Sequence, residues 1–235
     1  MRAAFLRPSL PACVLAVGVL ASACTTSVSA APAPDGVGCV SDSGQTPRST
    51  GPSTAVTTTF AVVGDSITAG TGEHDGPTQP GTQSWLRGAE GPPLQLVGGW
   101  AVPGTTTAQM RAGVGPLPAD VLVVMAGTND LRDGTAWEVS GDNLEAIVAQ
   151  SGDPGVLLSS VPPYDPAPAA SVAYNRHLEE FAAAEGWRFV DPWSTCSDDG
   201  AWVAGASADG VHPRPQVAER VGRELRALLL TGPGR

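Results

Sequence analysis

The sequence predicts an α/β domain in which a parallel sheet lies between layers of helices, and three observations predict it. Strand-like runs alternate with helix-like stretches over the last 180 or so residues, the pattern of βαβ units, in a length that suits about one domain. One of the runs, Val121-Leu122-Val123-Val124-Met125, is apolar without interruption, as expected of a strand covered on both faces. The chemically unusual segments all follow strand-like runs, and in open parallel sheets ligands bind at the carboxyl ends of the strands.

Taken in order, Phe60-Ala61-Val62-Val63 is the first short apolar strand, and it stops abruptly at Gly64-Asp65-Ser66. Residues 94–97 form a second strand and Val121–Met125 the third. Val156-Leu157-Leu158 and Arg188-Phe189-Val190 are the fourth and fifth. Residues 144–150 and 171–185 carry helical patterns, and in the latter Val172, Leu178, Phe181 and Ala182 share one face and are expected to point inward. A last amphipathic helix covers about 215–230, with Val217, Val221, Leu225 and Leu228 on its inner face. No internal repeat is visible.

The N-terminus reads differently. Arg2 and Arg7 precede an apolar run over 10–20, and small residues follow, which is the three-part pattern of a secretory signal over residues 1–30. The apolar run is short for a membrane span, which takes about 20 residues. Two processing sites compete. Val28-Ser29-Ala30 suits ordinary cleavage after Ala30, whereas Leu20-Ala21-Ser22-Ala23-Cys24 resembles a lipobox with Cys24 as the lipid-bearing residue, although its Leu stands one place too early. Both routes place the protein outside the cytoplasm, either secreted or lipid-anchored at the outer face of the membrane. Residues 31–55 are rich in Ser, Thr, Pro, Ala and Gly and hold few large apolar groups, so they read as a tether leading to a domain over 56–235.

Both routes also leave Cys39 and Cys196 as the two cysteines outside the signal. In an exported chain such a pair reads as a disulfide, with two unpaired thiols as the alternative. The net charge is −10, and it becomes more negative once Arg2 and Arg7 leave. All 13 basic residues are arginine, and with the abundant Ala, Gly and Pro this has the look of a GC-rich bacterial genome. Neither a basic run nor an arginine stripe is present, so nucleic acid is not an expected partner.

Three histidines are available as a base. His74 lies in a Gly-rich loop, and His177 sits inside a helical stretch. His212 follows Asp209 by three residues in Ala208-Asp209-Gly210-Val211-His212-Pro213, a spacing that lets one turn bring a carboxylate to the imidazole. Ser66 stands where a strand gives way to a tight turn, which suits a nucleophile and equally suits a helix cap. Asn129 in Ala126-Gly127-Thr128-Asn129-Asp130 offers a side-chain amide at a strand end, and Gly104 in Val102-Pro103-Gly104-Thr105-Thr106 offers a backbone N–H that no Cβ shields. Each fragment taken singly is also compatible with an ordinary turn.

In order, GDSIT at Ser66, AVPGTT at Gly104, GTND at Asn129 and DGVHP at Asp209 and His212 resemble the four blocks of the SGNH hydrolase (GDSL esterase/lipase) family. The resemblance runs from about Thr57 to the C-terminus. It implies a three-layer α/β/α, flavodoxin-like fold with a five-stranded parallel sheet. It also implies Ser66 as nucleophile, His212 as general base and Asp209 as its orienter. The Ser66 N–H, the Gly104 N–H and Asn129 become the oxyanion hole. Ile67 stands in place of the family's Leu, and Pro103 precedes Gly104 where many members carry Asn or Ser.

The resulting expectation is a serine esterase acting on a small-molecule or carbohydrate ester, without metal or cofactor. The Gly/Pro-rich, polar loops 70–91 and 162–168 favour short acyl groups such as acetyl. Acyl transfer to a sugar, lipase activity, and a non-catalytic glycan- or lipid-binding module are the alternatives. Trp100, Trp137 and Trp202 fall near the site loops, where a ring could stack on a sugar or simply pack. Asp198-Asp199 has the wrong spacing for a calcium loop, and no Cys/His spacing suggests zinc. Oligomeric state leaves no trace in the sequence.

Overall fold

The computed structural model describes residues 57–72 and 76–231. The expected signal and tether, with Cys24 and Cys39, lie outside the described residues, and so does His74. Along the described chain the order is β1 (Thr58–Gly64), α1 (Ser66–Ala69), α2 (Leu86–Ala89), β2 (Leu94–Ala101), α3 (Thr107–Gly113) and β3 (Val121–Met125). Then come α4 (Thr128–Asp133), α5 (Trp137–Ser151), β4 (Gly155–Ser159), α6 (Pro168–Glu185) and β5 (Arg188–Val190). A two-stranded hairpin of β6 (Ser197–Asp198) and β7 (Ala201–Trp202) precedes α7 (Pro215–Leu230).

Among the described residues the main sheet has five strands in the order β2-β1-β3-β4-β5, and every neighbouring pair is parallel. The fold is the three-layer α/β/α arrangement that the family resemblance implied. Alternation along each strand divides the core in two. Phe60, Val62, Val123 and Met125 face a layer made by Trp85, Leu86, Val221, Leu225 and Leu229, from α2 with its preceding turn and from α7. Ala61, Val63, Leu122 and Val124 face Met110, Leu144, Ile147, Leu178 and Ala182 from α3, α5 and α6. With β1 and β3 fully covered on both sides, their side chains are apolar at every position inside the core, which is why no period of two shows there.

All five strands were legible, each observed strand being as long as or longer than its apolar run. Short helices were not. The four-residue α1 and α2 and the six-residue α4 have too few turns to display a period, and tertiary contacts hold them. Trp85, for instance, is fully buried just ahead of α2 and donates from Nε1 to Thr68 Oγ1 of α1. One expectation about α6 is corrected. Leu178 and Ala182 point inward and Phe181 packs partly against the core, but Val172 is 45% exposed. It lies in the first turns of α6, and the inner face there is formed by Ser171 and Tyr174.

Candidate active site

Four loops at the carboxyl edge of the sheet build the site. The first follows β1. Asp65 caps α1, its Oδ1 accepting from Ile67 N at 2.9 Å, so Ser66 is the first helical residue and its N–H has no acceptor within the helix. The Ser66 hydroxyl stands 2.9 Å from His212 Nε2. These two residues are 146 positions apart in sequence, and the sheet topology alone brings them together.

His212 is carried by a turn that organises itself locally. Ser207 and Pro213 form an isolated antiparallel bridge, and Ser207 Oγ donates to His212 O at 2.6 Å and accepts from Gly210 N at 3.0 Å. Gly210 has φ 76°, and a Cβ there would also lie 2.8 Å from Asp165 Cβ, so only glycine fits. Within this turn Asp209 Oδ1 accepts from Val211 N at 2.9 Å and from His212 N at 2.7 Å. Asp209 Oδ2 lies 2.8 Å from His212 Nδ1. Partial burial disfavours the charged form of Asp209, but the hydrogen bonds from His212 and Val211 outweigh it and hold the carboxyl well below the usual carboxylate range. An ionised carboxylate only accepts, so the proton between the two belongs to Nδ1. That leaves Nε2 as the acceptor for the Ser66 hydroxyl.

The opposite wall is buried. Asn129, in the first turn of α4, is 7% exposed. Its Nδ2 donates to Thr105 O at 2.9 Å and to Asp65 Oδ2 at 3.1 Å, and its Oδ1 accepts from Arg132 Nη1 at 2.8 Å. An oxyanion would therefore have to share an N–H with one of these acceptors. Asp65 is 1% exposed, and burial pushes its carboxyl up to about 6, against the pull of the Ile67 N–H and of the His212 charge. Behind it Asp130, fully buried, accepts from Thr107 N at 2.9 Å, Thr107 Oγ1 at 2.6 Å and Ser140 Oγ at 3.1 Å, which ties α3, α4 and α5 together under the site. Gly104, after β2, sits at φ 77° on an exposed turn, a conformation that disfavours any Cβ.

The walls enclose a cavity of about 330 Å³. Ser66, Gly104, Asn129 and His212 line it, so one residue from each of the four sequence blocks is present. Arg132, Tyr164, Pro103 and Val211 line it as well. Arg132 was missed in the sequence although a signal existed: it stands three residues after Asn129 on one helix, hence on the same face. Tyr164, in the loop after β4, carries no pattern that would single it out.

Other sequence expectations end elsewhere. Trp100 packs against the core from β2, and Trp202 is buried against Trp193, ring centroids 5.7 Å apart. Trp137 meets Tyr174 and Phe181 edge-on and stacks on His177, with ring centroids 5.1 Å apart. None of the three tryptophans is among the cavity's lining residues, so the sugar-stacking reading gives way to plain packing. His177 is accounted for by the same cluster. Cys196 is a fully buried free thiol that accepts from Arg220 Nη2, while Cys39, its expected disulfide partner, lies outside the described residues.

A serine hydroxyl, an imidazole and a carboxylate in hydrogen-bonded sequence, at the edge of a parallel sheet and open to a cavity, are the arrangement of a serine hydrolase. Residues 62–220 match the model of the GDSL-like Lipase/Acylhydrolase family, and the chain belongs to that family. No curated protein matches the sequence. Solved structures of similar fold include a GDSL-like lipase from Bacteroides thetaiotaomicron, 21% identical with a TM-score of 0.58 over 75% of this chain and 89% of that one. The aryl esterase of M. smegmatis is 18% identical with a TM-score of 0.56, covering 74% and 99% of the two chains. A carbohydrate acetylesterase from Sinorhizobium meliloti is 16% identical with a TM-score of 0.55 over the same shares. At these identities the likeness is one of fold.

Proposed function

We propose that this esterase cleaves short-chain carboxylic esters through an acyl-enzyme on Ser66, and that it does so outside the cytoplasm. The observation that carries the reading is the continuous chain from Ser66 Oγ through His212 to Asp209, at 2.9 Å and 2.8 Å. His212 Nε2 takes the hydroxyl proton as Oγ bonds to the ester carbonyl carbon, and the carbonyl oxygen becomes the oxyanion. Collapse breaks the bond to the alkoxy group, which leaves with the proton from His212. A water then repeats the sequence: His212 takes its proton, the acyl–Oγ bond breaks, and Ser66 regains its hydrogen. Asp209 stays ionised throughout and stabilises the imidazolium. The Ser66 and Gly104 N–H groups and Asn129 Nδ2 serve the oxyanion.

The cavity lining supports a short acyl group. Besides the glycine, Pro103 and Val211 are its aliphatic members, and with the Tyr164 ring they balance Arg132 and Asn129 in a space of about 330 Å³, which is small for a long chain. Acetyl esters of small molecules or carbohydrates fit that balance. Export rests on the signal-like residues 1–30, with either free secretion after Ala30 or anchoring through Cys24.

The test is hydrolysis of p-nitrophenyl esters from acetate to palmitate by the full chain, with Ser66→Ala alongside. Turnover that requires Ser66 and falls with acyl length is the expected result. Turnover that survives Ser66→Ala sinks the acyl-enzyme, and turnover that rises toward palmitate replaces the short-chain reading with a lipase. Intact-mass measurement of the cell-associated and released protein checks export, since a product retaining Met1 contradicts it.

A further inference from the structure

The Asn129 side chain is held at both ends by the protein. Its Nδ2 sits between two acceptors, Asp65 Oδ2 and Thr105 O, while its Oδ1 faces the Arg132 guanidinium at 2.8 Å. Rotating the amide by half a turn would set Oδ1 against a carboxylate and a carbonyl, and Nδ2 against a cation. The three partners thus select one orientation, with Nδ2 as the donor end and Oδ1 held by the guanidinium, in a residue that lines the same cavity as Ser66. Of the three, Arg132 supplies the positive charge. A charge-assisted bond to an amide oxygen is about twice as strong as a neutral one, and it draws electron density from nitrogen, making the N–H a better donor.

Arg132 also lines the cavity, so a direct grip on an anionic substrate is the competing role. The geometry weighs against it. Nε and Nη2 of Arg132 are occupied by the Asp133 carboxylate at 2.7 Å and 3.1 Å, and Nη1 by Asn129. The carboxylate offsets the charge and holds the planar guanidinium with Nη1 aimed at the amide. An anion would find the Nε–Nη2 fork taken by Asp133 and one N–H left on each Nη nitrogen.

We propose that Arg132 is a positioning residue of the oxyanion site, acting through Asn129 by orienting and polarising its amide. The proposal rests on the reading of Ser66 as nucleophile and Asn129 as oxyanion donor. It gives Arg132 a transition-state role: loss of the guanidinium weakens an interaction that matters when the carbonyl oxygen becomes charged, and leaves ground-state binding largely as it was.

The experiment is steady-state hydrolysis of p-nitrophenyl acetate by the full chain and by Arg132→Ala, Arg132→Lys, Asn129→Ala, the Arg132→Ala/Asn129→Ala double variant and Ser66→Ala. Active sites are titrated with an organophosphonate, so a folding defect lowers the active fraction and not kcat per site. Arg132→Ala is expected to lower kcat about tenfold, the order of one hydrogen bond to a charged group, with KM changed less than about twofold. Arg132→Lys should recover part of the loss. In the Asn129→Ala background the same removal should cost less than about twofold, because the group it acts through is gone. An equal loss in both backgrounds, a loss confined to KM, or an unchanged kcat each overturns the proposal while leaving the serine esterase intact. Ser66→Ala that keeps its turnover overturns the esterase mechanism, and the role of Arg132 with it.

Discussion

The two walls of the cavity are built on opposite physical terms. The His212 wall is a surface turn held mainly by hydrogen bonds within Ser207 to Pro213, joined from outside by Asp165 N to Gly210 O at 2.9 Å and Gln83 Nε2 to Pro213 O at 2.6 Å, and Asp209 in it is 54% exposed. The Asn129 wall is a buried net drawn from three loops, in which Asp65, Asn129 and Asp130 are nearly or wholly inaccessible. In the mechanism we propose, the moving proton is handled on the wetter side, and the developing negative charge is met on the drier one. That division matches what each task requires: electrostatic stabilisation is worth more where water is excluded, while a carboxylate that must stay ionised is best kept near solvent.

The largest expected effect falls on the dry wall. Asn129→Ala should lower kcat by about two to three orders of magnitude with KM little changed, as for loss of one oxyanion donor. Asp209→Ala should cost about a hundredfold in kcat/KM, less than for a buried orienting acid, because water can reach its place beside His212. Measuring both on p-nitrophenyl acetate orders the walls. A larger loss from Asp209→Ala would reverse the comparison.

Stability against pH separates the walls again. The Asp65 carboxyl is raised from 3.8 to about 6 in the folded protein, so the fold binds its proton more tightly than the unfolded chain does. Its contribution is therefore greatest below about pH 4, is lost as pH rises toward 6, and is flat above, a change of about 3 kcal/mol. Asp209 has the opposite sign: its folded-state carboxyl is lowered, so its stabilisation is present above its unfolded value and is lost as pH falls below it. Urea unfolding at pH 4 and pH 7 for the wild type and Asp65→Asn should show the wild type losing ground to the variant as pH rises. A difference that does not move with pH would mean Asp65 titrates like an exposed carboxylate.

The smallest effect is local. Ser207→Ala removes the hydroxyl that donates to His212 O and accepts from Gly210 N. Unfolding free energy should fall by about 1 kcal/mol. Thermal unfolding reports that loss, and a change of several kcal/mol would show the turn to be tied into the core far more than its bonds indicate.

What was readable in advance follows the same divide. Asp209 and His212 act within three residues, so their spacing and the glycine between them already describe the turn. Ser66 could be placed because Asp65-Ser66 closes an apolar run, and the five strands because covered parallel strands are continuous apolar stretches. Tyr164 and the acceptors of the Asn129 amide left no such mark, since their partners come from 24 to 64 residues away or line a shared space. The tryptophans misled for the same reason: proximity in sequence to a loop says nothing of which way a ring packs.

By itself, then, the sequence determined the sheet, the order of the chemical groups along it and the turn that pairs Asp209 with His212, because each depends on neighbours within a few positions. The tertiary structure decided that Ser66 meets His212, that Asp65 is buried beside Asn129 and is thereby raised, and that Arg132 grips the Asn129 oxygen. The physical reason is that distance, desolvation and hydrogen-bond direction are properties of atoms gathered from remote parts of the chain. They come into being only when the strands bring their carboxyl ends to one edge.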